Sequence, residues 1–87
     1  MNETVYKYRL NCPGPTAITL REAAQVLTAQ VQGGSLCLWV KVDLELPKKL
    51  VFFEVVGTGQ ALQPAIRYYI STVQDDSLVW HIFQREP

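Results

Sequence analysis

The alternation of apolar and polar side chains between residues 36 and 56 is the feature that most constrains how this chain can fold. Every second residue of the segment 36–43 is aliphatic, and residues 50–56 repeat the pattern with bulkier side chains. Successive side chains of a β-strand point to opposite faces, so a period of two predicts two strands that each have one buried face. A Pro-Lys-Lys sequence lies between them, and residues 44–49 are expected to form a loop.

Five further segments have the composition of short strands, at residues 4–10, 16–20, 26–32, 67–74 and 78–84. Turn-forming residues separate several of these segments: the run Pro13-Gly14-Pro15, the pair Gly33-Gly34, and the run Asp75-Asp76-Ser77. Short strands joined mostly by hairpin-length turns are typical of small β-sandwiches and open barrels.

Residues 20–25 allow two readings. Their Arg, Glu, Ala, Gln and Leu side chains favour a helix, whereas the residues that follow alternate in polarity and place Leu27, Ala29 and Val31 on one face. A turn or bulge at 21–24 followed by a strand is therefore preferred over a short helix. The chain is predicted to be all-β, with about seven short, mainly antiparallel strands in a small sandwich or open barrel.

Length and charge narrow the function. With 87 residues the chain is expected to be a single domain spanning residues 1–87. The two long strands have more apolar positions than one core face needs, which indicates self-association as a homo-oligomer. Eight basic and eight acidic residues give a net charge of zero. No basic stripe is visible, so duplex nucleic acid is not an expected partner.

The cysteines and histidine form no recognisable metal motif. Cys12 and Cys37 lack CxxC spacing, and His81 cannot complete a zinc set with them, so neither a metal nor another cofactor is expected. No apolar run approaches the roughly 18 residues of a membrane span, and the first residues lack a secretory h-region. A cytoplasmic location with free thiols is therefore predicted. Sequence alone leaves open whether Cys37 and His81 are neighbours, but no catalytic triad is readable and the chain is not expected to be an enzyme.

The sequence Gly57-Thr58-Gly59-Gln60, at the end of a predicted strand, is the best candidate for a binding loop. Two glycines around a hydroxyl can expose consecutive backbone N–H groups in a concave nest that suits a phosphate or carboxylate oxygen. The alternative is that both glycines adopt left-handed or bulge conformations only to turn the chain.

The strand faces are the second candidate. Aromatic and charged side chains alternate with aliphatic ones along four predicted strands, and several are expected to share one outer sheet face: Trp39, Lys41, Phe52, Glu54, Arg67, Tyr69, Ser71, His81 and Phe83. Aromatic rings can stack on a base while Arg and Lys pair with phosphates. Subunit interfaces are enriched in the same residue types, and ordinary packing explains them as well.

Several segments together resemble a known family. The sequences Cys37-Leu38-Trp39, Gly57-Thr58-Gly59 and Trp80-His81-Ile82-Phe83 are similar to the Cys-Leu-Trp, Gly-Thr-Gly-His and Trp-His-x-Phe motifs of short phage and prophage proteins. That family is classed as a domain of unknown function, so the resemblance implies a phage origin and no activity. This chain has Gln60 where the family motif has histidine, which argues against an imidazole function at this position.

The sequence supports a hypothesis for function. A non-enzymatic, homo-oligomeric phage protein would counter host defence in the bacterial cytoplasm by sequestering a small molecule, most concretely a nucleotide immune signal. The candidate ligand-binding residues are Gly57, Thr58, Gly59, Gln60, Arg67, Tyr69, Trp39, Lys41 and His81. The alternatives are a protein–protein inhibitor or adaptor that binds a host protein, and a virion accessory protein.

Overall fold

The computed structural model describes residues 1–86, apart from the side chain of Arg67. It contains seven β-strands: β1 (Glu3–Arg9), β2 (Gly14–Arg21), β3 (Gln25–Gln32), β4 (Ser35–Asp43), β5 (Lys48–Gly57), β6 (Ile66–Asp75) and β7 (Leu78–Arg85). The described residues contain no helix, so they include no helix that is long and apolar enough to cross a membrane. The prediction of an all-β fold with about seven short strands is confirmed.

The strands form two antiparallel sheets that pack as a sandwich. Sheet A has the order β1-β4-β3, and sheet B has the order β2-β5-β7-β6. The chain changes sheet after β1, after β2 and after β4, so neighbours in sequence are not always neighbours in a sheet. Of the two predicted architectures, the sandwich is the one observed.

The core lies where the alternating faces of β4 and β5 meet. Leu38 and Val40 of β4 are fully buried, and so is Ile82 of β7, while Phe53 and Val55 of β5 are 1% and 2% exposed. Burying one such side chain stabilises a fold by about 1.5–3 kcal/mol. The period of two identified in the sequence therefore corresponds to the main source of stability.

The connection between β2 and β3 is a turn, which is the alternative that the sequence analysis preferred over a short helix. Ala23 has a left-handed φ of 59°, and the Ala24 N–H donates to the Arg21 carbonyl at 3.2 Å. The Gly33-Gly34 hairpin is also as predicted. Both glycines have positive φ, 58° and 78°, as the central residues of a type I′ turn require.

Two expectations at strand level are wrong. The pairing of β3 with β4 shifts between Val26 and Thr28, so Leu27 occupies a bulge and is 49% exposed, while Val26 packs against the core. Residues 48 and 49 belong to β5 and not to a loop, since Lys49 lies opposite Leu20 on β2. A bulge changes the phase of alternation, and strand pairing can order a polar segment.

The connection between β5 and β6 positions the candidate site. Val56 projects from the outer face of sheet B, because its neighbour Val55 points into the core, yet Val56 is only 6% exposed. Gln60 and Leu62 of this connection line surface pockets with Val56. The connection therefore folds back across the outer face of sheet B.

Candidate functional site

The candidate site lies on the outer face of sheet B, where β5, β7 and β6 run side by side. The register places Val56 opposite His81, and His81 opposite Thr72. In the next outward-facing row, Phe83 lies opposite Tyr69. The outer face is completed by the turn at residues 57–60, which follows β5 directly.

Gly59 and Gly57 have different roles in this turn. The Gln60 N–H donates to the Gly57 carbonyl at 3.1 Å, and Gly59 has a φ of 90°, as the third residue of a type II turn requires. Gly57 has no left-handed φ. A Cβ at Gly57 would instead lie 3.1 Å from Oε1 of Gln60 and 3.2 Å from Cζ3 of Trp80. Position 57 requires glycine because neighbouring side chains approach it closely, whereas position 59 favours glycine because of its backbone conformation.

Most N–H groups of the turn already have partners within the protein. The Gly57 N–H donates to the side-chain oxygen of Gln60, and the Thr58 N–H donates to the Val79 carbonyl at 3.4 Å. A phosphate or carboxylate oxygen could reach the Gly57 N–H only by displacing the Gln60 amide. The Gly57 and Thr58 N–H groups are thus not free to form the expected anion-binding nest, and the Thr58 hydroxyl faces His81.

A chain of hydrogen bonds crosses the site. Nε2 of His81 lies 2.8 Å from the Thr58 hydroxyl, and Nδ1 lies 3.1 Å from the Thr72 hydroxyl. The Thr72 hydroxyl is in turn 2.8 Å from the Tyr69 hydroxyl. A neutral imidazole donates from one nitrogen and accepts at the other, and a hydroxyl can do both. The chain can therefore run in either direction and offer a ligand a donor or an acceptor.

An apolar pocket adjoins this chain. It has a volume of about 220 Å³ and is lined by Val56, Gly57, Thr58, Gly59, Gln60, Leu62, His81 and Phe83. The Tyr69 and Phe83 rings meet edge to face, with centroids 5.8 Å apart. Leu62 is 57% exposed, so it forms a partly open wall. The arrangement combines an apolar floor with one polar side.

A second groove lies on the opposite side of the 57–60 turn. Its volume is about 460 Å³, and its lining combines residues of the turn with residues 77–80. The Trp80 indole lines this groove, and its Nε1–H is buried without an acceptor among the described residues. A buried donor without a partner costs about 1–3 kcal/mol. The turn is therefore a wall shared by two concave surfaces.

The structure brings together only part of the predicted site. His81, Tyr69 and the whole of the 57–60 turn converge on the outer face of sheet B, which also carries Phe52, Glu54 and Phe83. The backbone of Arg67 lies in β6, but its side chain is outside the described part of the chain.

Trp39 and Lys41 do not belong to this group. Both project from the outer face of sheet A, on the opposite side of the sandwich, where Trp39 lies opposite Lys7. Simple alternation also predicts the wrong face of the sheet for Ser71. It lies opposite the buried Ile82 and faces inward. Several of the predicted residues therefore share one outer face, as expected, but these three do not belong to it.

Sequence reasoning missed Thr72, the central hydroxyl of the chain. Strict alternation from Tyr69 would point Thr72 toward the other face of the sheet. The register with β7 shifts between Tyr69 and Ser71, which inserts Ile70 as an extra residue and returns Thr72 to the face of Tyr69. No turn-forming residue marks this bulge, so the sequence contains no signal for it.

The polar groups of the site bond mainly to one another. Both ring nitrogens of His81 are occupied by threonine hydroxyls, and no group of three or more metal-ligating side chains occurs among residues 1–86. Cys37, raised above as a potential neighbour of His81, is buried on sheet A, and His81 lies on sheet B. At the far end of the face, Arg85 lies 3.5 Å from Glu54. The described residues that line the pocket include no Asp, Glu, Lys or Arg.

Comparison with known proteins identifies the family of this chain but no individual relative. No curated protein and no solved structure matches it. One family model covers its full length, and this confirms the resemblance to a domain family of unknown function. The chain belongs to the family described as Domain of unknown function (DUF7352), whose model matches residues 1–87.

Proposed function

We propose that this protein is a non-enzymatic binding protein that sequesters a small molecule on the outer face of sheet B. One observation carries the proposal: the hydrogen-bonded chain Thr58–His81–Thr72–Tyr69 lies beside the apolar pocket formed by Val56, Leu62 and Phe83. Apolar walls with a few convergent polar groups are characteristic of small-molecule sites.

The chemistry of the pocket favours a flat ring that has polar substituents. Such a ring can lie against Phe83 and Leu62 while its exocyclic groups meet the Thr58 hydroxyl. The reversible hydrogen-bond chain accommodates a carbonyl or an amino group, and a nucleobase carries both. The pocket volume of about 220 Å³ is below the roughly 300 Å³ at which drug-sized sites begin. The pocket would therefore hold one ring, and the rest of the ligand would extend beyond it.

The biological role we propose is sequestration of a nucleotide immune signal by a phage-encoded homo-oligomer in the cytoplasm of an infected bacterium. The motif resemblance to phage proteins supports the origin.

Native mass spectrometry of the protein purified from bacteria tests the proposal first. We expect a folded species with a few hundred daltons of mass that denaturation releases, and the released molecule can then be identified and titrated back. A ligand-free protein that instead forms a stoichiometric complex with a host protein would contradict sequestration and support an adaptor role.

The Thr58→Val substitution tests the site. Valine keeps the shape of threonine but removes the hydroxyl that bonds to His81. We expect binding of the released molecule to weaken roughly threefold to tenfold, the effect of one hydrogen bond, with an unchanged circular dichroism spectrum. The matched control is Thr19→Val, an exposed threonine on the opposite edge strand of sheet B. Equal affinity of both variants would refute the assignment of the site.

A further inference from the structure

Strand β1 is an unusual edge of this sandwich. The four sheet edges are β1 and β3 in sheet A, and β2 and β6 in sheet B. Three of them are irregular: β3 has a bulge after Val26, β2 contains Pro15, and β6 has two shifts of register. Bulges and prolines are devices that prevent a sheet edge from pairing with another chain. Strand β1 has neither, since its seven residues pair with β4 in unbroken register.

The free hydrogen-bonding groups of β1 can be identified from its two ends. The Leu10 N–H donates to the Leu36 carbonyl, and the Leu44 N–H donates to the Asn2 carbonyl, each at 2.9 Å. In an antiparallel pair, hydrogen-bonded and non-hydrogen-bonded residues alternate. The even-numbered residues of β1 therefore bond to β4. The odd-numbered residues direct their N–H and C=O groups to the open edge: Glu3, Val5, Lys7 and Arg9.

We propose that a second copy of this chain pairs antiparallel with β1 about a two-fold axis at Tyr6. In this register Glu3 lies opposite the partner's Arg9, and Val5 lies opposite the partner's Lys7. Every outward-directed residue of both strands is then hydrogen-bonded, because odd residues meet odd residues. The two copies of sheet A become one continuous six-stranded sheet.

The side chains of β1 favour this register over its neighbours. It sets opposite charges across the axis twice, and Glu3 already lies 3.8 Å from Lys41 of its own chain, so the partner's Arg9 joins an existing ion pair. A shift of two residues in one direction would place Lys7 opposite the partner's Lys7. A shift in the other direction would set Glu3 opposite the partner's Lys7 but would leave Arg9 beyond the paired strands. The interface also covers Val5 and Tyr6, which are 47% and 45% exposed.

This interface deepens the homo-oligomeric part of the proposed function by naming its surface. The paired edge belongs to sheet A, whereas the proposed ligand site is on the outer face of sheet B. Loss of one therefore does not require loss of the other, and the two can fail separately in experiments.

Disulfide crosslinking tests the register directly. In a Cys12→Ser background, Tyr6→Cys places two thiols at the axis in a non-hydrogen-bonded pair. The Cα atoms of such a pair are about 4.5 Å apart, within the roughly 4.4–6.8 Å range of disulfides. We expect mild oxidation to give a covalent dimer on a non-reducing gel, while Val5→Cys in the same background gives little. The reverse result, a dimer at Val5 and none at Tyr6, would overturn the register.

The Val5→Pro variant tests the edge itself. Proline removes an N–H that points away from β4, so the fold is retained while pairing of two copies is blocked. By light scattering, we expect the wild type to shift with concentration from 9.9 kDa toward twice this mass, and Val5→Pro to stay at 9.9 kDa with an unchanged circular dichroism spectrum.

Charge reversal adds a rescue experiment. Arg9→Glu should weaken the dimer roughly tenfold, because the change acts twice across the axis. Adding Glu3→Arg should restore much of the affinity. An oligomer that is indifferent to Val5→Pro and to Arg9→Glu would overturn the β1 interface while leaving a homo-oligomer in place. A wild type that stays monomeric would overturn both the β1 interface and the homo-oligomer. A releasable ligand in the native mass spectrum of that monomer would still support the binding site.

Discussion

Single residues define the candidate site more sharply than its motif does. In the Gly-Thr-Gly sequence, Gly57 leaves room for the side chains of Gln60 and Trp80, and Gly59 turns the chain. The hydroxyl of Thr58, between them, orients His81. The side-chain oxygen of Gln60 accepts a hydrogen bond from the Gly57 N–H. Gln60 therefore occupies one of the N–H groups that an anion would need.

Gly57→Ala should destabilise the fold by about 1–3 kcal/mol, the usual cost of overpacking. The new methyl group would meet Gln60 and Trp80 at 3.1 and 3.2 Å, although the backbone itself is unstrained. Denaturant unfolding measures the loss, and Gln60→Ala should recover part of it. Gly59→Ala is the control, because its cost comes from a φ of 90° in open space and Gln60→Ala should not relieve it. Recovery in both cases would contradict this division of roles.

Asp43 is expected to make stability depend on acid pH. The Glu45 N–H donates to its carboxylate and, against a smaller opposing effect of burial, lowers its pKa below the ordinary 3.8. Because the folded pKa is the lower one, the stabilisation is complete above pH 3.8 and is lost as pH falls through the folded pKa. Urea unfolding should therefore show wild type and Asp43→Asn converging below pH 3.8. A difference that is constant with pH would contradict this.

At the scale of elements, β-bulges decide which side chains meet. The irregularity in β3 exposes Leu27 and turns Val26 inward, and the one in β6 brings Thr72 beside His81. In both cases one extra residue reverses the phase of alternation for the rest of the strand. The candidate site therefore depends on a local backbone feature in an edge strand.

Alanine substitutions of Val26 and Leu27 should show which of the two side chains packs into the core. Val26→Ala should cost about 1–2 kcal/mol, because Val26 packs against the core. Leu27→Ala removes more atoms but should cost about 0.5 kcal/mol or less, since Leu27 is 49% exposed. Thermal or denaturant unfolding of the pair measures the order. A larger loss at Leu27 would mean that β3 pairs in regular register.

At the scale of the whole molecule, stability rests on a small core between two sheets. A domain of 87 residues is expected to have roughly 4–13 kcal/mol of total stability. The structure also separates two outward surfaces, with the candidate ligand site on sheet B and the proposed pairing edge on sheet A. A dimer through β1 would therefore leave both ligand sites open to solvent.

Leu38→Ala should remove much of the total stability. Leu38 is fully buried, and such truncations cost about 2–5 kcal/mol. We expect a large fall in the denaturant midpoint, or loss of the cooperative transition at room temperature. Leu78→Ala is the matched control, because Leu78 is 52% exposed and its truncation should be nearly neutral. Similar effects of the two substitutions would contradict the assigned core.

The class of fold and the approximate position of every strand could be predicted from local sequence patterns. Alternation with a period of two specifies which segments form strands, and Gly33-Gly34 specifies a hairpin, because both signals arise from neighbouring residues. These features depend on local backbone preferences.

Which strands lie together and which side chains share a face could not be predicted in this way. Trp39 and Lys41 looked like companions of His81, yet they project from the other sheet. Thr72 joined the site through a bulge that no turn residue marks. Both outcomes depend on pairing between segments that are distant in the chain. One extra residue, or assignment to the other sheet, moves a side chain to the opposite surface at little local cost.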